Sequence, residues 1–219
     1  MPDVMTRDRG GQAGQAERLR NYWDKHAPSY DREMAFFERV LFVGGREWVC
    51  RQATGDVLEV AIGTGRNLEF YPPDVRLTAV EFSPAMLDIA RQRAAELGRA
   101  VDLRVGDAQA LDLPDAAFDT VVCTLSLCGI PDERKAVAEM KRVLRPNGRL
   151  LLLDHVVGLP AWVRAIQWLI ERITVPLGSE YLRRRPLLTV QAEGFIVERS
   201  ERSKLGIVER VVARKSATM

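Results

Sequence analysis

Cysteine and histidine are scarce in this chain of 219 residues: Cys50, Cys123 and Cys128 are its three cysteines, His26 and His155 its two histidines. Three thiols cannot all pair within one chain, and none stands in a Cys-x-x-Cys spacing, so neither a disulfide framework nor a zinc knuckle is indicated. No metal site is expected, and a reducing cytoplasm is the default location. An excess of charge of one sign is also missing. Lys plus Arg number 32 against 30 Asp plus Glu, a formal net charge of +2, which offers no global field for gripping nucleic acid. No run of about 18 apolar residues occurs, so no membrane span is expected. The opening of the chain also lacks the apolar stretch of a secretory signal. What is present, 47% hydrophobic and 28% charged residues with 16 Gly and 11 Pro, excludes a collagen-like or wholly disordered chain and suffices for one core of ordinary size.

Residues 1–16 carry almost no large apolar groups and read as a mobile arm. Residues 17–54 turn helical, with Leu19, Tyr22, Trp23 and Tyr30 set among charges and an interruption at Ala27-Pro28. A second helix follows over about residues 32–53, with a break at Gly44-Gly45. Residues 55–157 change rhythm: DVLEVAIGTG, RLTAVEFS, VDLRVGD, FDTVVCTLSL and RLLLLDHV read as strands. Between them RNLEFY can open a helix, while PAMLDIARQRAAELG and DERKAVAEMKRVL are helices, the former with Pro84 in its first turn and Gly98 at its end. This alternation predicts an α/β fold, a doubly wound parallel sheet with helices on both faces. Residues 158–194 break the pattern with the aromatic-rich helical segment LPAWVRAIQWLIERITVPLG and a further helix in EYLRRRPLLTVQAEGF. Residues 195–219 close the sheet with two hairpin strands, FIVERSERSK and LGIVERVVARK, around a turn at Ser203-Lys204-Leu205-Gly206.

The most informative stretch is LEVAIGTGRNL, residues 58–68. Gly63 and Gly65 after an apolar strand let the backbone turn tightly and approach a ligand that a side chain would strike. Alone, such glycines also serve ordinary turns, and Glu81 alone could cap a helix. Together they say more, because Glu81 closes the next strand about twenty residues on, where a carboxylate accepts hydrogen bonds from ribose hydroxyls. A dinucleotide site shares this logic, but its G-x-G-x-x-G fingerprint needs a glycine where Leu68 stands. Glu59 in the approach to the turn is expected to repel a diphosphate and favour an ammonium or sulfonium. The expected ligand is therefore S-adenosylmethionine, with an NAD(P)-binding oxidoreductase or a noncatalytic cofactor-binding protein as alternatives.

Four stretches in order, LEVAIGTG, AVEFSPAMLDIA, GDAQALDLPDAAFDTVV and EMKRVLRPNGRLLLLDHV, resemble the successive motifs of class I S-adenosylmethionine-dependent methyltransferases. Within that superfamily, NLEFYPP and VVCTLSLCGIPDERKAVAEMKRVLRP are similar to the methyltransferase-like thiol methyltransferases, and related quinone and phospholipid methyltransferases share much of the pattern. The resemblance implies a Rossmann-like, doubly wound seven-stranded sheet with an antiparallel C-terminal hairpin. It further implies a helical lid over residues 17–54, a cofactor-binding core over 55–157 and an acceptor-pocket cap over 158–194. Glu59, Ala61, Gly63 and Gly65 are implied to line the methionine moiety, and Glu81 to hold the ribose, with Phe82 and Met86 beside the adenine. Asp107 and Ala108 are implied to meet the adenine amino group and ring, with Thr124 and Leu125 behind the methionine tail. Two departures stand out: Ala61 and Asn147 occupy positions where the family usually has glycine, and asparagine also tolerates a positive φ.

Methyl transfer needs an aligned nucleophile and exclusion of water, and a general base only where the acceptor's proton is poorly matched. His155, at the carboxyl end of the fifth strand, and His26, in YWDKHAPSYD, are the candidate bases; Tyr22 and Tyr30 are the candidate lid residues over the cofactor. Trp162, Ile166, Trp168, Leu169, Ile170 and Ile173 are too many for one helical stripe, so some must meet a second surface (the core, a substrate, a partner or a bilayer), and a roof over the acceptor pocket, with part of them packing in the core, is expected. Arg183-Arg184-Arg185 behind them suit an anionic head group, hence a peripheral membrane contact, though a charge run is also an ordinary solvated face. The expected partner is a small, rather apolar acceptor (a thiol, a phenol or quinone-like ring, or a lipid amine) and not nucleic acid.

Overall fold

The computed structural model describes residues 5–178 and 180–217. Two helices, α1 (Met5–Val40) and α2 (Gly45–Cys50), lead into an alternating run: β1 (Asp56–Val60), β2 (Arg76–Glu81), α3 (Pro84–Glu96), β3 (Val101–Val105), β4 (Phe118–Thr124), α4 (Glu133–Val143) and β5 (Leu144–His155). Then follow α5 (Ala161–Gly178), α6 (Pro186–Ala192), β6 (Ile196–Ser203) and β7 (Val208–Arg214). The seven strands form one sheet in the order β3-β2-β1-β4-β5-β7-β6. The first five run parallel, and β7 pairs antiparallel with both β5 and β6.

The interior strand β5 holds an unbroken apolar run because both of its faces are covered. Residues 150–153 are four successive buried leucines. Leu150 and Leu152 join Leu58, Val60, Val121 and Met140 of α4 in one cluster, while Leu151 and Leu153 join Val57, Val122, Val49 of α2 and Leu87 of α3 in the other. Ser83 caps α3 by accepting the Met86 amide at 3.2 Å, with Pro84 in the first turn, and Asp132 caps α4 through the Lys135 amide at 3.1 Å.

Four boundaries differ from the sequence reading. Residues 1–4 of the expected arm lie outside the described residues, and from Met5 the chain is already helical. Nor does the helix stop at Pro28. Proline removes one backbone bond, but side chains on either side of it, Asp24 and Asp31, tie α1 to the core and carry the helix through. RNLEFY supplies only a single 3-10 turn, Leu68–Phe70. Finally, β5 starts five residues early at Leu144 and passes through Asn147, whose φ of 65° is the left-handed geometry that made asparagine an acceptable stand-in for glycine.

Candidate functional site

A cavity of about 800 Å³ opens at the carboxyl ends of β1, β2 and β4. Strand order reverses there, from β1 to β4, and open α/β sheets place their ligands at such a switch point. Ala61, Gly63 and Gly65 all take positive φ, of 56°, 59° and 79°. The two glycines do different work. A Cβ on Gly63 meets nothing within 4 Å, since that direction is the cavity itself. A Cβ on Gly65 would lie 2.9 Å from Leu68 Cδ1 and 3.2 Å from the Ala90 Cα, so Gly65 is there to let the loop lie against α3 and is not part of the cavity wall. Ala61 does line the cavity, at a conformational cost of about 1–2 kcal/mol for an L-residue in this region.

Glu81, Phe82 and Met86 form the wall at the end of β2, and Asp107 and Ala108 the wall after β3. The Glu81 carboxylate accepts the Gly63 amide at 2.8 Å and the Ser83 amide at 2.9 Å. Burial raises its pKa while those amides oppose the rise. Two oxygens offer about four acceptor positions, so these amides leave acceptor capacity over. Asp107 accepts from the Gln109 amide at 2.9 Å and the Gln109 side chain at 3.0 Å. Thr124 and Leu125, at the end of β4, complete the floor.

Glu59 is not on the wall. Strand parity turns it to the α2 side of the sheet, where Asn67 Nδ2 donates to it at 2.7 Å and the Tyr71 hydroxyl at 3.0 Å. It belongs to a buried chain of polar groups centred on Arg46, a residue the sequence reading overlooked. Arg46 Nη1 donates to Asn67 Oδ1 at 3.0 Å and Thr124 Oγ1 at 2.9 Å, its Nε reaches Glu38 at 2.6 Å, and it lines the cavity. Burial pushes the Glu59 carboxyl up to about 7, against an ordinary 4.5. The folded chain thus holds that proton more tightly than the unfolded chain between those two values. Glu59's contribution to stability is therefore greatest at the acid end of that window, falls as pH rises through it, and is flat above about pH 7. Urea unfolding between pH 5 and pH 8 is expected to show this decline. Glu59→Gln removes Glu59's share, roughly 3 kcal/mol across the window; an unaltered slope in that variant rules the assignment out.

α1 crosses over the cavity, and Leu19, Trp23 and Tyr30 on its underside line it. Three acidic side chains spaced by seven residues hold it there. Asp24 accepts the Ser83 hydroxyl at 2.5 Å, Asp31 accepts the Thr64 hydroxyl at 2.6 Å and pairs with Arg93, and Glu38 accepts Arg46 and, at 2.9 Å, Arg66 Nε. Seven residues return a helix nearly to the same face, a spacing legible in the sequence. Of the two tyrosines expected on the lid, Tyr30 lines the cavity, and burial above all pushes its hydroxyl up to about 12, so it stays protonated. Tyr22 does not: its ring packs over Gly178 of α5, and Trp23 takes the cavity position instead.

Residues 58–152 match the family model of the methyltransferase domain. That segment of the chain carries a methyltransferase domain. It is 36% identical to the phosphatidylethanolamine N-methyltransferase of Cereibacter sphaeroides over 126 residues, 57% of this chain and 62% of that protein. It is 34% identical to the thiol S-methyltransferase TMT1A of Homo sapiens over 134 residues, 59% of this chain and 54% of that protein. The chain thus spans less than two thirds of the length of either curated relative. A solved S-adenosylmethionine-dependent methyltransferase of Thermotoga maritima shares the fold, with a TM-score of 0.68 at 19% identity, covering 90% of this chain and 100% of that one.

The two histidines lie off the cavity wall of this methyltransferase domain. His26 Nδ1 is 2.8 Å from the Tyr22 carbonyl, and its ring stacks on Tyr22 at 4.0 Å. His155 ends β5 beside Asp154 and Cys128, and its buried Nδ1 has no hydrogen-bond partner. Of that trio only Cys128 reaches the wall. Burial raises the Cys128 thiol well above its ordinary value, so it stays a neutral thiol and a poor competitor for a methyl group. The expected apolar roof is also elsewhere. Trp162, Ile166, Trp168, Leu169, Ile170 and Ile173 are all exposed, and none lines the cavity of the methyltransferase domain. The inward positions of α5 are taken by Val163, Gln167 and Glu171.

Proposed function

We propose that this chain transfers the methyl group of S-adenosylmethionine to a small, rather apolar acceptor: a thiol, a phenol or quinone-like ring, or a lipid amine. The observation that carries this reading is the meeting of the Glu81 carboxylate and the open face of Gly63 in one cavity at the sheet's switch point. The residues present fit the ligand. Glu81 keeps acceptor capacity for ribose hydroxyls, Phe82, Met86 and Ala108 offer apolar faces to a purine, and Arg46 supplies the cation for the amino acid's carboxylate. A diphosphate is poorly served. The glycine turn leads into a single 3-10 turn at Leu68 and not directly into an α-helix amino end that would seat it. The preference rests on that feature and not on Glu59, which faces away from the cavity.

Bound S-adenosylmethionine, which Glu81, Phe82, Met86, Ala108 and Arg46 would hold, would supply an activated methyl group on a sulfonium. The chain's contribution is alignment and exclusion of water by Leu19, Trp23 and Tyr30 of α1. With neither histidine on the wall, the site suits an acceptor that ionises near neutrality, a thiol ahead of an alcohol. Calorimetry is expected to detect S-adenosylmethionine and S-adenosylhomocysteine, and labelled methyl to reach a thiol acceptor faster than the matching alcohol. Tight binding of a nicotinamide dinucleotide without any heat from S-adenosylmethionine defeats the proposal.

A further inference from the structure

α5 is built inside out. Beside Val163, its buried stripe is polar: Gln167 accepts the Gly158 amide at 2.9 Å and donates to the carbonyls of Val156 at 2.9 Å and Leu182 at 3.1 Å, and Glu171 accepts the Arg183 amide at 2.8 Å. Its outward stripe is Trp162, Ile166, Leu169, Ile173 and Leu177, 51–64% exposed and repeating every three or four residues. A helix that faces water shows the reverse arrangement. α5 adds no acid to this face, because its one carboxylate, Glu171, points inward to Arg183. Arg172, by contrast, lies 4.1 Å over the Trp168 ring.

A second, separate observation lies beside the start of the helix. Arg164, Arg183, Arg185 and Arg202 converge on one cleft. Arg183 is answered by Glu171 and Arg202 by Glu209, whereas Arg164 and Arg185 make no ion pair among the described residues. Leu159 and Leu205, 62% and 55% exposed, stand next to each other at this end of the helix, joined by a backbone bond of 3.0 Å.

We propose that this face docks on an anionic phospholipid bilayer, with α5 lying in the plane of the interface, its apolar stripe at the acyl boundary and a headgroup phosphate in the arginine cleft. The chemistry is complementary at both levels: an interfacial helix presents Trp and Leu to the acyl region and cations to the headgroups. No helix among the described residues is long and apolar enough to cross the membrane, so the contact is peripheral. A second copy of the chain serves this face less well, since a two-fold contact repeats the unanswered arginines without adding an acid. Glu180 and Tyr181, just beyond α5, line the cavity, which places the docking face at the cavity's edge. The docking does not depend on the methyl-transfer reading.

The test is sedimentation of the full chain with vesicles of phosphatidylcholine, alone or mixed in equal parts with phosphatidylglycerol. The chain is expected to sediment with the mixed vesicles and to remain largely in solution with the neutral ones. Ile166→Glu/Leu169→Glu, both at exposed positions, lowers vesicle affinity at least tenfold. Arg164→Glu/Arg185→Glu lowers affinity for the anionic vesicles by at least roughly twenty-five-fold, at about fivefold per arginine lost. Circular dichroism of both variants matches the parent, and S-adenosylmethionine calorimetry is run on each separately, so a failure of that ligand to bind leaves the vesicle result readable. The proposal is overturned if the parent ignores both vesicle types, if either variant binds as the parent does, or if inorganic phosphate at matched concentration displaces the chain completely. It is equally overturned if the parent is a dimer that Ile166→Glu/Leu169→Glu dissociates while neither form binds vesicles.

Discussion

Gly63→Val is expected to leave the chain folded and to weaken S-adenosylmethionine binding by roughly a hundredfold or more, whereas Gly65→Val is expected to cost about 3–5 kcal/mol of stability. The two glycines sit two residues apart in one turn, yet their Cβ directions meet different things. Valine at 63 projects into the cavity, where only ligand space is lost, and bears a left-handed strain of about 1–2 kcal/mol. Valine at 65 meets the Leu68 side chain and the Ala90 backbone in the packed contact with α3, on top of the same strain. Calorimetry and urea unfolding on both variants separate the effects. A folded Gly63→Val protein with unchanged affinity removes the cofactor from this cavity; a Gly65→Val protein as stable as the parent disproves the close packing.

Arg46→Met should cost about 3–5 kcal/mol, because it strips the shared cation from a buried network and leaves Glu38, Asn67 and Thr124 short of a partner. Lysine restores only part of this, since one ammonium cannot reproduce the guanidinium's fixed fork toward three acceptors. The loss reaches beyond stability: Arg46 joins α1, through Glu38, to the floor of the cavity at Thr124. Cofactor affinity should therefore fall with it. In a double-mutant cycle with Glu38→Gln, the combined loss should be smaller than the sum of the single losses. Strict additivity would mean the two side chains do not act together.

The core of the fold was legible in the sequence because its signals are local. Largely apolar strands such as FDTVVCT, the Ser83-Pro84 helix start and the glycine turn at 63 and 65 each announce themselves within a few residues, and each lies where it was expected. Glu81, Phe82, Met86, Asp107 and Ala108, which stand at motif positions, line the cavity. What stayed hidden depends on tertiary contacts. Arg46 reads as one of many arginines until the fold brings Asn67 and Thr124 to it. Glu59 occupies a motif position, but strand parity decides which side of the sheet it faces, and that side leads to Tyr71. In α5 the apolar residues are visible in the sequence, yet hydrophobicity alone points them inward; only the backbone bonds of Gln167 and Glu171 reveal which face the protein itself requires.

β7 is an interior strand made after its outer neighbour, flanked by β5 on one side and β6 on the other. As the polypeptide leaves the ribosome, β5 emerges long before the partner that seals its free edge. Until residues 208–214 arrive, that edge offers unpaired amides and carbonyls alongside the leucines at 150–153. A translation pause before Val208 therefore exposes a template for intermolecular strand pairing, and the nascent chain is at its most vulnerable to aggregation just before its sheet closes.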